Sequence, residues 1–288
     1  MRAGLITCSR LPELHPDDLL LRSALAQLGV ETVAVDWEGA VPPGVGALLL
    51  RTPWNYHRQL VQFLSWLEST SSLPMWNSRQ VVRWNCHKSY LSKLHGEGLP
   101  VVPTLTFEPG QSLDAAALES WAAGRELVAK PAVSAGAFRT ARYPGWNQHV
   151  MEHLHGLMET EAAMLQPYYA GIEQYGERSL IFLDGEFSHA VRRHLPLLEG
   201  PEVDYLMQLV APTPAELQAA RQILSSLPFE PLLYARVDLI PDPHGKPVLL
   251  ELELIEPQLF LREYPPAAQV LARAWMNRMA MKDSQIGN

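Results

Sequence analysis

The chain has 288 residues, 47% of them hydrophobic, a formal net charge of −8 and two cysteines, Cys8 and Cys86. That length supports a large core and more than one lobe. There is no Lys/Arg run, which excludes nucleic acid as an expected partner because phosphate neutralisation needs clustered positive charge. Two cysteines give neither a disulfide framework nor a metal-ligand spacing.

The N-terminal stretch MRAGLITCSRLPELHPDD is broken by Arg10 and Pro12, unlike a signal peptide. No apolar segment approaches membrane-spanning length. The expectation is a cytoplasmic protein with no membrane contact. AGLITC reads as a strand, and DDLLLRSALAQLG as a helix with acids at its start and Gly29 at its stop. ETVAVDW and GALLLRT read as strands, and NYHRQLVQFLSWLEST has helical spacing. This order predicts a small parallel α/β domain over residues 1–80.

A helix is expected around NCHKSYLSKLHGEG, then a strand, a small-residue loop and a strand in LVAKPAVSAGAFRTARY. A helix near 146–159 and the strand AAMLQPYY follow. SLIFLDGEFSHAV is a hairpin turning at Asp184-Gly185. TPAELQAARQILSSLP is an amphipathic helix, and LLYARVDLI pairs with PVLLELELI around PDPHGK. PPAAQVLARAWMNRMAMK ends the pattern as a helix.

Three features carry chemistry. In VLLELELIEP, Glu251 and Glu253 project from one strand face about 7 Å apart. Like charges that close repel, and burying either unpaired is costly. Asp238 and Arg236 share a face of the partner strand. A register setting Asp238 opposite Glu251 would gather three carboxylates, with Arg236 beside Glu253. Hard oxygen donors in that pattern suit Mg²⁺; the competing reading is a hairpin with a wet polar face.

Second, Lys130 ends an apolar strand and needs an anionic partner, and the small residues after it let backbone N–H groups approach phosphate. Lys88 precedes a helical segment. Both lysines also read as ordinary solvated side chains. Third, MLQPYYAGIEQYGERSLIF is a stiff aromatic connector carrying two acids, Glu173 and Glu177, between apolar strands. It reads either as an interdomain link or as a hinge whose backbone meets an adenine edge.

The order Lys88, Lys130-Pro with its loop, LQPYY, GERSLIFLDGEFSHAVRR, RVDLI, LELELIEP resembles the ATP-grasp superfamily over about residues 80–260. It is most similar to the glutathione-synthetase-like and ribosomal-protein-modifying branches and to the cyclo-ligases of cycloserine biosynthesis. The resemblance implies an ATP-grasp fold, two α+β lobes clasping ATP, preceded by the small α/β domain. The lobes would span 81–165, with the phosphate loop, and 166–288, with the metal site.

It further implies that Lys88 and Lys130 contact the ATP phosphates under a loop containing Ser134 and Gly136. Gln166, Tyr168 and Tyr169 would form the adenine hinge. Glu177, with Glu173 as the alternative, would bind ribose. Arg193, or its neighbour Arg192, would touch the terminal phosphate, and Arg193 and Arg236 form the expected catalytic pair. Asp238, Glu251 and Glu253 would hold Mg²⁺, with Mn²⁺ as the alternative ion. Many members have Asn where this chain has Glu253.

The implied reaction is ADP-forming activation of a carboxylate as an acyl phosphate, then attack by an amine or similar nucleophile. An intramolecular cyclo-ligase, a small-molecule kinase and a non-catalytic nucleotide binder are the alternatives. Arg51, Asn55 and Tyr56 lie just past a strand end, where α/β sheets collect ligands, and are the expected contacts to an amino-acid-like or peptide-like substrate. WNS at 76–78, RWN at 83–85, Glu256 and Arg262 are further candidate walls. Homodimers are common in the superfamily.

Overall fold

The computed structural model describes residues 1–193, 207–229 and 232–286. Its first layer is a parallel sheet in the order β2-β1-β3-β4, built from β1 (Arg2–Thr7), β2 (Glu31–Asp36), β3 (Ala47–Leu50) and β4 (Met75–Trp76). Helices α1 (Pro16–Gln27) and α2 (Leu60–Ser69) pack on opposite faces, so β1 and β3 are apolar on both sides. The helix expected over 55–70 is divided: Tyr56–Arg58 form one 3₁₀ turn, and α2 begins at Leu60.

The helix expected around 85–98 is shorter, α4 (Tyr90–Gly96); a separate α3 (Arg79–Asn85) precedes it, with Lys88 in the turn between them. Val81, Tyr90, Leu91 and Leu94 from these helices enter the core under the third sheet. The second sheet is antiparallel, in the order β5-β8-β6-β7. It comprises β5 (Leu105–Phe107), β6 (Leu127–Pro131), β7 (Ala141–Tyr143) and β8 (Ala163–Pro167). One face is covered by α5 (Ala115–Ala122) and α6 (Gln148–Met158). The expected limit at 165/166 falls inside β8.

After the short α7 (Gly171–Tyr175) comes the third sheet, antiparallel in the order β11-β10-β9-β12-β13. Its strands are β9 (Glu177–Leu183), β10 (Glu186–Arg193), β11 (Met207–Val210), β12 (Tyr234–Pro241) and β13 (Pro247–Glu253), with α8 (Pro214–Ser225) on one face. Helix α9 (Pro266–Ile286) returns to pack on α1.

Alternation along these strands divides the face toward the N-terminal domain into two halves. Ile181, Leu183, Val191 and Tyr234 form an apolar half under α1 and α9. Continuing along the same strands by twos, Glu177, Ser179, Arg193, Arg236, Asp238, Glu251 and Glu253 form a polar half. That polar half is the site.

Candidate functional site

The β12–β13 register sets Asp238 opposite Glu251 and Arg236 opposite Glu253. A bulge at Leu250 lies directly beside the acids, since Asp238 pairs Glu251 while Leu239 pairs Leu249. Bulges re-aim side chains, and nothing in the alternation of VLLELEL announces this one.

Arg236 grips Asp238 through Nε, at 3.0 and 3.1 Å from the two oxygens, and through Nη2 at 2.9 Å, and it also bonds Glu253. Arg193 donates to Asp238 at 2.9 Å and to Glu177. Ser179 donates to Asp238 at 2.7 Å. Burial alone would raise the Asp238 carboxyl, but Arg236 and Arg193 reverse that and hold it well below the usual range.

The three expected metal ligands therefore share a face and a register, with cations set among them. Among the described residues no three His, Cys, Asp or Glu stand close enough to hold a metal ion. The physical reason is local: Arg236 alternates onto the same face as Asp238 and reaches across to Glu253. Arg192, one residue from Arg193, points away from the acids and donates to Gln174 O at 2.7 Å.

On the opposite side, Lys88 Nζ donates to Ser134 O at 2.6 Å and Ser134 Oγ at 2.9 Å, and lies 3.1 Å from Glu251. It thus joins the start of the small-residue loop to the acid face. Lys130, on β6, is pushed down to about 8 by burial, against the pull of Glu251. Burial tends to raise Glu251, and Lys88 and Lys130 bring it down. In the loop, Gly136, Ala137 and Arg139 have φ of 62°, 57° and 51°.

Gln166 is buried, and its side-chain amide donates to Thr104 Oγ1 at 2.8 Å, a bond inside the protein. Tyr168 lies under Arg142, with the guanidinium 3.6 Å from the ring centroid, and donates to Glu173 at 2.9 Å. Tyr169 is part-buried beside it. Glu173 is thus at the connector surface, whereas Glu177 is buried against Arg193 and burial raises it to about 8. Gly176 joins them at φ +75°, and a Cβ there would meet Arg193 O at 2.8 Å.

Arg51 and Asn55 turn inward. Arg51 is 1% exposed, pairs with Asp18 at 2.8 Å and donates to Pro257 O at 3.1 Å. Asn55 accepts from Trp37 Nε1 at 2.6 Å and donates to Glu38 at 2.8 Å. Both positions are expected substrate contacts; in the structure Arg51 Nε and Nη2 and the Asn55 amide bond inside the protein, while Arg51 Nη1 is buried with no hydrogen-bond partner. Tyr56 differs, because its hydroxyl meets the Glu256 carboxyl. Burial and the neighbouring Glu253 raise Glu256 to about 8, and burial raises Glu253 to about 7. His57 stands 5.6 Å from the Phe138 ring, so this turn also touches the 134–140 loop.

Residues 256–262 are held by side chains from four separate segments. Trp54 donates to Glu256 O at 3.0 Å, Arg236 to Gln258 O at 3.3 Å, and Asp17 accepts from Leu261 N–H at 3.2 Å. His189 Nε2 lies 3.0 Å from Leu259 O. Sequence reasoning does not find Asp17, Asp18 or His189. Two buried acids at a helix start, in PDDLLL, are the only available signal, and they read equally well as dipole partners.

Residues 3–77 match a family model described as the N-terminal domain of D-cycloserine synthetase DcsG. The chain is 30% identical over 276 residues to the cycloserine biosynthesis protein DcsG of Streptomyces lavendulae, covering 90% of this chain and 92% of that one. The crystal structure of D-cycloserine synthetase DcsG superposes with a TM-score of 0.86 at 28% identity, covering 96% of this chain and 99% of that one. The D-alanine–D-alanine ligase from Bacillus anthracis, complexed with ATP, shares the fold with a TM-score of 0.68 at 16% identity, over 98% and 99% of the two chains. With a polar sheet face joined by a lysine to a small-residue loop, and alike to DcsG over nine-tenths of its length, the chain belongs to the ATP-grasp superfamily and is an ADP-forming ligase of the DcsG family.

Proposed function

We propose that the cleft between the β5–β8 sheet and the polar half of the β9–β13 sheet binds ATP with Mg²⁺. There the protein activates the carboxylate of a small amino-acid-like molecule as an acyl phosphate. The observation that carries this reading is Lys88, which bonds both the start of the 134–140 loop and Glu251. One side chain thereby ties a phosphate-binding loop to a carboxylate face.

Lys88, Lys130 and Arg193 supply positive charge for the phosphates, and backbone N–H groups of the loop add donors. The connector at 168–170 receives the base. Glu173 at its surface and Glu177 beneath it are the two acids for the ribose hydroxyls. Comparing ATP with 2′-deoxy-ATP in Glu173→Gln and Glu177→Gln separates them.

The donor set suits Mg²⁺ in kind, since Asp238, Glu251 and Glu253 offer hard oxygens on one face. In the free protein Arg236 and Lys88 occupy those oxygens and, among the described residues, no three acids stand close enough to hold an ion, so metal binding would exchange these contacts for the ion. Bound there, the ion neutralises phosphate charge as the γ-phosphoryl group moves. The 134–140 loop would shield the acyl phosphate from water. Arg236 keeps Asp238 and Glu253 in place. The Tyr56–Glu256 contact faces the substrate and orients its amino end, while Arg51 and Asn55 support that wall from behind.

Similarity to a cycloserine synthetase across nine-tenths of the chain favours ring closure within one substrate over joining two. The test is a panel of amino acids and short peptides with ATP, Mg²⁺ and coupled ADP detection, followed by mass analysis. Ring closure gives a product lighter than its substrate by one water. Two joined substrates would support intermolecular ligation, and a stable phosphorylated product would identify a kinase.

A further inference from the structure

β13 is the edge strand of its sheet. In an antiparallel pair, alternate residues direct their backbone groups toward the partner strand and away from it. Here Glu251 and Glu253 bond toward β12, and the N–H and C=O of Leu252 and Leu254 point outward. An outward edge is ordinarily wet or covered by another strand. Instead, side chains take the place of a strand.

The Tyr90 hydroxyl donates to Leu252 O at 2.9 Å and accepts from Leu252 N–H at 3.0 Å. Asn85 donates to Leu252 O at 2.8 Å and accepts from Leu254 N–H at 2.9 Å. Asn77 donates to Leu254 O at 2.8 Å and also clips Tyr234 O and Leu233 N–H, each at 2.8 Å. All three side chains are buried. Further along the edge, Leu249 N–H donates to Pro100 O at 2.7 Å and Val102 N–H to Leu249 O at 2.9 Å.

We infer that Asn77, Asn85 and Tyr90 are positioning residues for metal binding: they fix the backbone of β13 on either side of Glu253 and so set how Glu251 and Glu253 present their oxygens to Mg²⁺. The inference rests on the reading that these acids hold the metal. The three side chains spend their polar groups on backbone atoms, so they act through the strand. A bulge at Leu250 leaves β13 locally free to shift against β12, which gives the outer clips a task the β12 ladder does not perform alone. The same segment carries Lys88, so the strand with the acids and the lysine bonded to Glu251 are registered to each other through a few covalent links.

The test is calorimetric titration of ADP into the full chain at a series of Mg²⁺ concentrations, with circular dichroism to establish folding. Tyr90→Phe removes only the hydroxyl and should raise the Mg²⁺ concentration for half-maximal ADP binding about tenfold, the low end of the cost when groups orienting metal ligands are lost. ADP affinity at saturating Mg²⁺ should stay near wild type. Asn85→Ala should move the same way and further. Ser92→Ala removes another hydrogen bond of this segment, to Thr104 O at 2.7 Å, and should leave the Mg²⁺ dependence as it was.

Glu251→Gln is titrated alongside and should shift strongly. If it shifts while folded Tyr90→Phe and Asn85→Ala match wild type, the positioning role is refuted and the metal reading stands. If Glu251→Gln also matches wild type, both fall. Should Asn85→Ala fail to fold, Tyr90→Phe decides alone.

Discussion

The clamp under residues 256–262 and the face carrying Lys88, Lys130, Glu251 and Glu253 are built from similar residue types and are put to opposite uses. In the clamp, Arg51 is spent on Asp18 and Pro257 O, Asp17 on Leu261 N–H, and His189 on Leu259 O. Those groups are buried and bonded inside the protein, with Arg51 Nη1 and Asp18 Oδ2 left without a hydrogen bond. On the face, Lys130 is depressed and Glu253 raised by burial, so charge is held there at a cost to the free protein. The difference teaches which polar residues serve folding and which are kept for a ligand. Clamp variants should lose stability and keep nucleotide affinity, and face variants should do the reverse.

The largest effect is expected at Arg51. Arg51→Ala leaves Asp18 buried without its cation, a change that costs about 3–5 kcal/mol. Chemical denaturation should show that loss, and the folded fraction should bind ADP with near wild-type affinity. Retained stability with lost substrate binding would return Arg51 to the substrate wall.

Lys130→Met should remove about 1.5–3 kcal/mol of ADP binding, the range for a hydrogen bond to a charged group. It should not destabilise the free protein at pH 7. The folded pKa of about 8 lies below the ordinary lysine value of 10.5. The unfolded chain therefore holds that proton more tightly, and carrying the charged lysine opposes folding until pH rises through 8 toward 10.5. Thermal unfolding with and without ADP checks both halves.

His189 sharpens the comparison from the clamp side. Burial brings it down to about 4. Its folded pKa is below the unfolded value of about 6.5, so the stability associated with neutral His189 is complete above pH 6.5 and is lost as pH falls toward 4. In His189→Gln, stability should fall less steeply across that window, by up to about 3 kcal/mol at the acid end. Urea denaturation at pH 7, 5.5 and 4 measures it.

The smallest effect is expected at Glu253→Asn, because an amide oxygen still coordinates and can still accept from Arg236. The Mg²⁺ requirement for ADP binding should rise by less than about tenfold, the lower limit for disturbing a metal's supporting groups. A shift as large as that of Glu251→Gln would give Glu253 equal standing as a ligand.

The two regions also differ in how far they can be read from sequence. Strand alternation and a short turn constrain the pairing of Asp238 with Glu251 and of Arg236 with Glu253, and both pairings occur. The parallel first sheet and the two hairpins likewise follow from periodicity and turn residues. Arg51 and Asn55 sit beyond the end of β3, where no period fixes direction. Their inward turn depends on Asp18, Trp37 and Glu38, distant in sequence or in element. The bulge at Leu250 and the separate helix Arg79–Asn85 ahead of Lys88 carry no composition signal. The edge clips Asn77 and Asn85 lie in WNS and RWN, which read as cleft walls because a strand's uncovered edge cannot be seen before its sheet order is known.

The most direct measurement is a crystal structure of the protein with ADP and Mg²⁺. The expected result is a nucleotide between the second and third sheets, its phosphates beside Lys88 and Lys130 and the metal on Asp238, Glu251 and Glu253. A nucleotide bound elsewhere, or phosphates in the cleft with no metal on those acids, would contradict it.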